Sequence, residues 1–422
     1  MTTTTTTSAP RRSTPAAPPR PLTIDDNGRS ERIKTTSGTQ TFVDLSYSYA
    51  SAGKDTTKIR SRTDNLTKLK TSYTYDSQDR LSYALEADAA GARKASWLYC
   101  WDKAGNLTSR DGSKNTCPGA TTYTYNDANE LTGKNGSTTG WSYDKRGNET
   151  AAAGNTPRTG ESCTDYSQLS GITTGGKTYD LVHAGTTNAE RTKLGSTWFH
   201  HTALGLASTT TNGVDTGFIR EPAGTLNSMT TGGKSYYYLT DATGNVFGLA
   251  DDTGKRTHTY AYGPTGLPRT TPTEAVPQPY RYAGAYVDPT GLYKMGHRYY
   301  DPTLGRFTQP DPSGQEKNAY MYAGGDPINN TDPSGLSLIS FASSAMKKVG
   351  VASDIVAVGQ FASQVSSGQY KEAAGTALSF AADKAFTAGC TYFTGGAGAA
   401  PCAVGGMAVG EGVNRLYSSA TS

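Results

Sequence analysis

An all-β chain of stacked hairpins, closed by a small α-helical tail, follows from three features of the 422-residue sequence. The first is composition: 49 Gly and 27 Tyr against 10 Phe, with Thr and Ser abundant, suits half-buried pleated surfaces better than helical cores. The second is an aromatic unit that recurs between positions 73 and 150. The third is a ladder of five Asp-Pro pairs within residues 282–336, at Asp288, Asp301, Asp311, Asp326 and Asp332.

Residues 1–40 read as a Thr/Pro-rich disordered leader. The opening MTTTTTTSAPRRSTPAAPPRPL has almost no large apolar residue, so it lacks the apolar region of a Sec signal, and none follows Arg11-Arg12 as a twin-Arg signal requires. Residues 41–281 read as a repeat sheet. YTYDSQDRL begins at Tyr73, YCWDKAGNLT at Tyr99, YTYNDANELT at Tyr123 and WSYDKRGNET at Trp141. The shared pattern is aromatic-x-aromatic-Asp-x-x-Gly-Asn-Leu-Thr. Aromatics at i and i+2 share one face of a strand, the Asp ends it, Gly-Asn turns, and Leu-Thr starts the return strand. Asp76, Asp102, Asn126 and Asp144 are spaced by 26, 24 and 18 residues, a repeat with loops of variable length. Weaker copies begin near Tyr236 and His258, and the stretch 162–206 reads as strand without a clear register. A lone hairpin is marginal in water, so the units must pair side by side into one long sheet.

In residues 282–336 each Asp opens a turn by bonding its own backbone while Pro presets φ. Five turns alternate with RYY, GRF and YMY, and NAYMYAGG reads as a strand and turn that folds back between Asp311 and Asp332. After Leu336 the texture changes. Residues 337–422 carry helical spacing and an Ala-rich segment, and residues 385–410 contain no charge. A helical hairpin around a Gly-rich turn and a membrane-active segment are the two readings of that run; Pro401 and the surplus of Gly favour the first.

Five cysteines show no CxxC spacing and five histidines are scattered, so no metal site and no cofactor are expected. Cys100 with Cys117, and Cys390 with Cys402, are candidate short-loop disulfides in an oxidising compartment. A formal charge of +4 with no long basic run is too weak for a nucleic-acid partner.

The hairpin units resemble YD repeats, and 282–336 resembles the core segment of rearrangement-hotspot (RHS) proteins, above all in RYYDPTLGRFTQPDP and the closing DPSGL. That family includes bacterial polymorphic toxins, the C component of insecticidal toxin complexes and the YD shell of teneurins. The resemblance covers residues 41–336. It implies a sheet curled into a partial shell, with a core that cuts itself by an aspartyl mechanism and frees a C-terminal toxin. Carried onto this sequence, it makes Asp311 and Asp332 the catalytic carboxylates, Arg298 their basic partner, and Leu336-Ser337 the scissile bond. Two carboxylates sharing a proton have their pKa values pushed apart, which supplies an acid and a base at one site.

The expected function is therefore carrier and processing module of a polymorphic toxin, with 337–422 as cargo and a single intramolecular turnover. Partners in keeping with it are a toxin-complex or shell-completing protein and an immunity protein, with membrane contact through the tail. Export by a non-Sec route to the medium or the cell surface follows. The alternatives are a non-catalytic surface module, whose exposed Tyr, Trp, Asn and Asp suit carbohydrate or cell wall, and an inert remnant. Processing at Leu336 separates the first reading from both.

Overall fold

The computed structural model describes residues 22–340, except 155–156, 203–204 and 222–223. The expected leader to position 21, the expected helical tail beyond 340, and the candidate Cys390–Cys402 pair with it, lie outside the described residues.

The architecture is an antiparallel meander. A 10-stranded sheet runs from Leu22–Ile24 to Leu131–Lys134, and a 12-stranded sheet from Arg158–Cys163 to Thr273–Glu274. Neither closes on itself: in each the first and last strands remain edges. Four short strands between Tyr286–Val287 and Arg306–Phe307 form a third sheet. Among the described residues there is no α-helix, only two 3₁₀ turns at Tyr282–Gly284 and Ala323–Gly325. The fold is thus an all-β hairpin sheet curled into part of a shell.

Each unit is locked by the same chemistry. Asp102 accepts from the Asn106 backbone N–H at 2.8 Å and from its side-chain amide at 2.9 Å, and Asp144 with Asn148 and Asp241 with Asn245 repeat both bonds. Three residues after the Asp or Asn, the chain turns left-handed, at Asp79, Gly105, Asn129, Gly147 and Gly244. That is why Gly, Asn or Asp occupies the position. The second aromatic then ties its unit to the one before. Trp101 Nε1 donates to the Leu81 carbonyl and the Tyr125 hydroxyl to that of Leu107, both at 2.9 Å. Tyr262 repeats this with Val246 in the second sheet. These polar tips are satisfied while the rings pack, which explains Tyr where Phe would leave a carbonyl unbonded.

One region differs from the sequence reading, and a second gains the register that the sequence left open. The first sheet begins at Leu22, not near position 41: Ser30–Ser37 pairs with Gln40–Ser48 and buries Ile33 and Thr35 against Phe42 and Val43. Polar composition concealed this hairpin inside the expected leader. The stretch 162–202 is meander, as read, and its register runs through Leu169–Thr174, Lys177–His183, Arg191–Leu194 and Thr197–Thr202.

The core segment fills the space between the sheets. Leu304 joins Tyr99, Tyr123 and Leu131 of the first sheet, whereas Leu292 and Tyr299 join Leu169, Ile172 and Phe199 of the second. Tyr282, Tyr293, Tyr300, Phe307 and Tyr322 make an aromatic cluster of their own, with Tyr300 and Tyr322 rings 4.5 Å apart. Polar anchors reach outward. Asp288 takes Arg191 through two bonds of 2.6 and 2.7 Å, so its side chain pairs across the fold instead of capping its own turn as the sequence suggested. Asp301 does cap its turn, through Thr303 and Leu304, and also receives Arg158 at 2.6 Å. Between the sheets, beside Tyr47, Arg62, Trp97 and Asp241, lies a cavity of about 50 Å³, room for a few waters.

Candidate functional site

Three pieces of the core segment meet at Leu336. The first is the strand Arg298–Asp301, which carries Arg298, 1% exposed, with its guanidinium 3.6 Å from the Phe307 ring centre. Arg298 Nε donates to the Gly335 carbonyl at 2.6 Å, Nη1 to that of Ala319 at 2.9 Å, and Nη2 to Asp332 at 3.0 Å. The second piece is the turn opened by Asp311, whose backbone N–H bonds the same Ala319 carbonyl at 2.8 Å. The spacer folds back by this bond and by Phe307 N–H to Tyr320 O. It does so as irregular backbone with one bridge, Arg306 to Met321, rather than as the expected strand.

The third piece is the turn opened by Asp332. It is pinned from both flanks: Asn330–Thr331 pairs antiparallel with Ile339–Ser340, and His297 N–H donates to the Ser334 carbonyl at 2.8 Å. The strand at Ile339–Ser340 falls where the sequence suggested helix. Close approach demands glycine here. Gly335 has φ +65°, and a Cβ on it would lie 2.4 Å from Met295 O and 2.8 Å from Arg298 N. Gly335→Ala is expected to push the turn off Arg298 and slow any reaction at Leu336 about 10²-fold, the cost of roughly 1 Å misplacement. Timed gel analysis of the variant beside wild type measures it.

The result is a peptide held from two sides. Asp332 Oδ1 accepts from the backbone N–H groups of Leu336 and Ser337, both at 3.2 Å. On the other side the Ser313 hydroxyl lies 2.8 Å from each Asp311 oxygen and 3.0 Å from the Leu336 carbonyl oxygen. Asp332 therefore sits at the nitrogen end of the Leu336-Ser337 peptide and Asp311, through Ser313, at its oxygen end. Burial works to raise the Asp311 carboxyl. The Ser313 hydroxyl, the N–H groups of Ser313 and Glu316, and the charge of Arg298 outweigh it and leave the pKa below the ordinary value. Glu316 is the opposite case: burial and the two nearby aspartates raise it, against Arg298.

Sequence reasoning missed Ser313 and Glu316. A signal for Ser313 existed, because the tetrapeptide DPSG occurs twice, at Asp311 and Asp332. In the second copy Ser334 Oγ lies 3.1 Å from Asp332 Oδ1. Elsewhere, Cys100 and Cys117 form a disulfide with S–S 2.00 Å, and Cys163 is a free thiol that burial pushes up to about 12. Among the described residues no cluster of His, Cys, Asp or Glu suits a metal ion, and no helix is long and apolar enough to cross a membrane.

Comparison with known proteins finds likeness in the repeat and core sequence. The teneurin YD-shell family matches residues 209–328. The tRNA3(Ser)-specific nuclease WapA of Bacillus spizizenii is 38% identical over 122 residues, 27% of this chain and 5% of that protein. Toxin subunit YenC2 of Yersinia entomophaga is 43% identical over 58 residues, 13% of this chain and 6% of its own length. A crystal structure of TcdB2-TccC3 without its hypervariable C-terminal region aligns with 75% of this chain and 20% of that one, at 17% identity and a TM-score of 0.36. The chain thus spans about one-twentieth of the first curated relatives it matches. The locked hairpin units, the Asp-Pro core and the match over residues 209–328 make the repeat region of this chain similar to RHS/YD-repeat shell proteins.

Proposed function

We propose that residues 282–336 are a self-cleaving core that hydrolyses the Leu336-Ser337 peptide once, in its own chain, and frees residues 337–422. The observation that carries this is the placement of one peptide between Asp332 at its nitrogen and the Asp311–Ser313 pair at its oxygen. Water adds to the Leu336 carbonyl carbon, and Asp332, ion-paired to Arg298, takes its proton. Asp311 supplies the proton that the carbonyl oxygen needs as charge develops there. Collapse of the tetrahedral intermediate breaks the C–N bond as Asp332 passes its proton to the Ser337 nitrogen and the carbonyl-oxygen proton returns to Asp311. Leu336 leaves as a carboxylate and Ser337 as an amine. Arg298 positions the parts: three of its N–H groups bind Gly335, Ala319 and Asp332, fixing both aspartate turns to one strand.

On this reading residues 41–281, with the earlier hairpin from Leu22, are the carrier sheet and 337–422 the toxin cargo. The names of the relatives, a toxin subunit and a tRNA nuclease among them, support a toxin role and a toxin-complex partner with export from the cell. Among the described residues, the tail side of the cut is held by the two-residue ladder at Ile339–Ser340 and by the Ser337 N–H bond to Asp332, and cargo release requires the loss of both. Purified wild type is expected to yield a free tail fragment on a denaturing gel, and Asp311→Asn a single full-length band. A full-length wild type under the same handling contradicts the reading.

A further inference from the structure

The Ser313 hydroxyl bridges the Asp311 carboxyl and the Leu336 carbonyl oxygen. A hydroxyl has one proton, and here it faces three acceptor oxygens, two on Asp311 and one on Leu336. While Asp311 is ionised, the charged carboxylate takes that proton and the Leu336 oxygen receives no donor from this side. Once Asp311 is protonated the sense reverses: the carboxyl donates to Ser313 Oγ, and Ser313 donates to Leu336. The geometry points to Ser313 as a catalytic proton relay, carrying Asp311's proton to the Leu336 oxygen, and this inference rests on the self-cleavage proposed above. The balance is simple. The Asp311 O–H bond breaks as Oγ–H forms, the Ser313 proton moves to the Leu336 oxygen, and Ser313 ends as it began. No bond to carbon forms at Ser313.

Backbone order supports the assignment. Gln315 and Glu316 N–H groups hold Asp311 Oδ2 at 3.0 and 3.2 Å, and Ser313 N–H holds Oδ1 at 2.9 Å. Asp311 thus keeps its place without the Ser313 hydroxyl. The charged groups around it are Arg298 from its strand, Asp332 beyond the scissile peptide, and Glu316 on the same turn. Glu316 titrates above its ordinary value and Asp311 below, so the two limbs of a pH profile are separable.

The test follows cleavage of freshly translated full-length chain by gel between pH 3 and pH 8, for wild type, Ser313→Ala, Ser313→Thr and Asp311→Asn. The relay predicts a wild-type rate that climbs toward acid as Asp311 takes its proton. It predicts a loss of about 10²-fold in Ser313→Ala, the size seen when one donor to a developing oxyanion is removed, and disappearance of the acid limb. Ser313→Thr, which keeps the hydroxyl, retains both rate and limb. A purely structural role would lower the Ser313→Ala rate by one factor at every pH, and that result overturns the relay. So does Ser313→Ala cutting like wild type while Asp311→Asn is inert, which leaves self-cleavage standing. An ester at Ser313 trapped by hydroxylamine overturns it as well, since Ser313 would then be a nucleophile. If wild type itself stays whole, the relay falls together with the self-cleavage reading.

Discussion

Asp332→Asn leaves the chain whole: cleavage after Leu336 slows about 10³-fold, the scale of a lost general acid–base group. The substitution keeps shape and size, so the turn still forms, with the amide oxygen accepting from Leu336 and Ser337 as Oδ1 does. The amide nitrogen then faces Arg298 Nη2, where a 3.0 Å ion pair stood, and two donors oppose each other. Neither removal of the water proton nor its return to the Ser337 nitrogen remains available. Arg298→Lys should fail almost as completely, because one ammonium on a flexible stem cannot reach Gly335 O, Ala319 O and Asp332 together as a planar fork does. Mass spectrometry of each purified variant, with circular dichroism to show an intact sheet, checks both. Cleavage of Asp332→Asn at the wild-type rate would remove Asp332 from the chemistry.

Arg158→Met has the largest effect on folding, a loss of about 3–5 kcal/mol, since removing one partner strands buried charge. Arg158 is 2% exposed and binds three carboxylates: Glu149, Glu161 at 2.8 Å, and Asp301 of the core segment at 2.6 Å. It therefore staples the start of the second sheet to the segment that carries the site. One cation cannot balance three buried anions, and burial with the neighbouring Glu149 charge pushes the Glu161 carboxyl up to about 8. The folded chain then holds a proton that the unfolded chain releases near its ordinary value of 4.5. Stability from this group is complete below that value and is lost as pH rises through about 8. Thermal melts of wild type should fall across that window, and Glu161→Gln should flatten the slope. A melting point of Arg158→Met within a degree or two of wild type contradicts the account.

Much of the fold was legible because its rules are local. Asp102 with Gly105 and Asn106, or Asp241 with Gly244 and Asn245, makes its turn from five adjacent residues, so a motif and a hairpin are the same statement. The hairpin from Ser30–Ser37 to Gln40–Ser48 escaped notice because its outward face is polar and lacks that motif. Long-range ion pairs were beyond reach for another reason. Arg191 and Asp288 lie 97 residues apart and Arg158 and Asp301 lie 143 apart, and a buried charge pair leaves no periodicity to read. At the site, the motif named Arg298, Asp311 and Asp332, and their shared hold on one peptide came only from three-dimensional structure. Ser313 lay in plain view in DPSG, but a serine two residues after an aspartate reads first as part of a turn.

The central claim is that the chain cuts its own Leu336-Ser337 bond, and its most direct test joins position to kinetics. Full-length protein from cell-free translation is diluted over a hundredfold range, and its intact mass is followed with time. The account predicts two products that part between Leu336 and Ser337, with one half-life at every dilution. A different junction, a rate that scales with concentration, or a full-length mass throughout would contradict it.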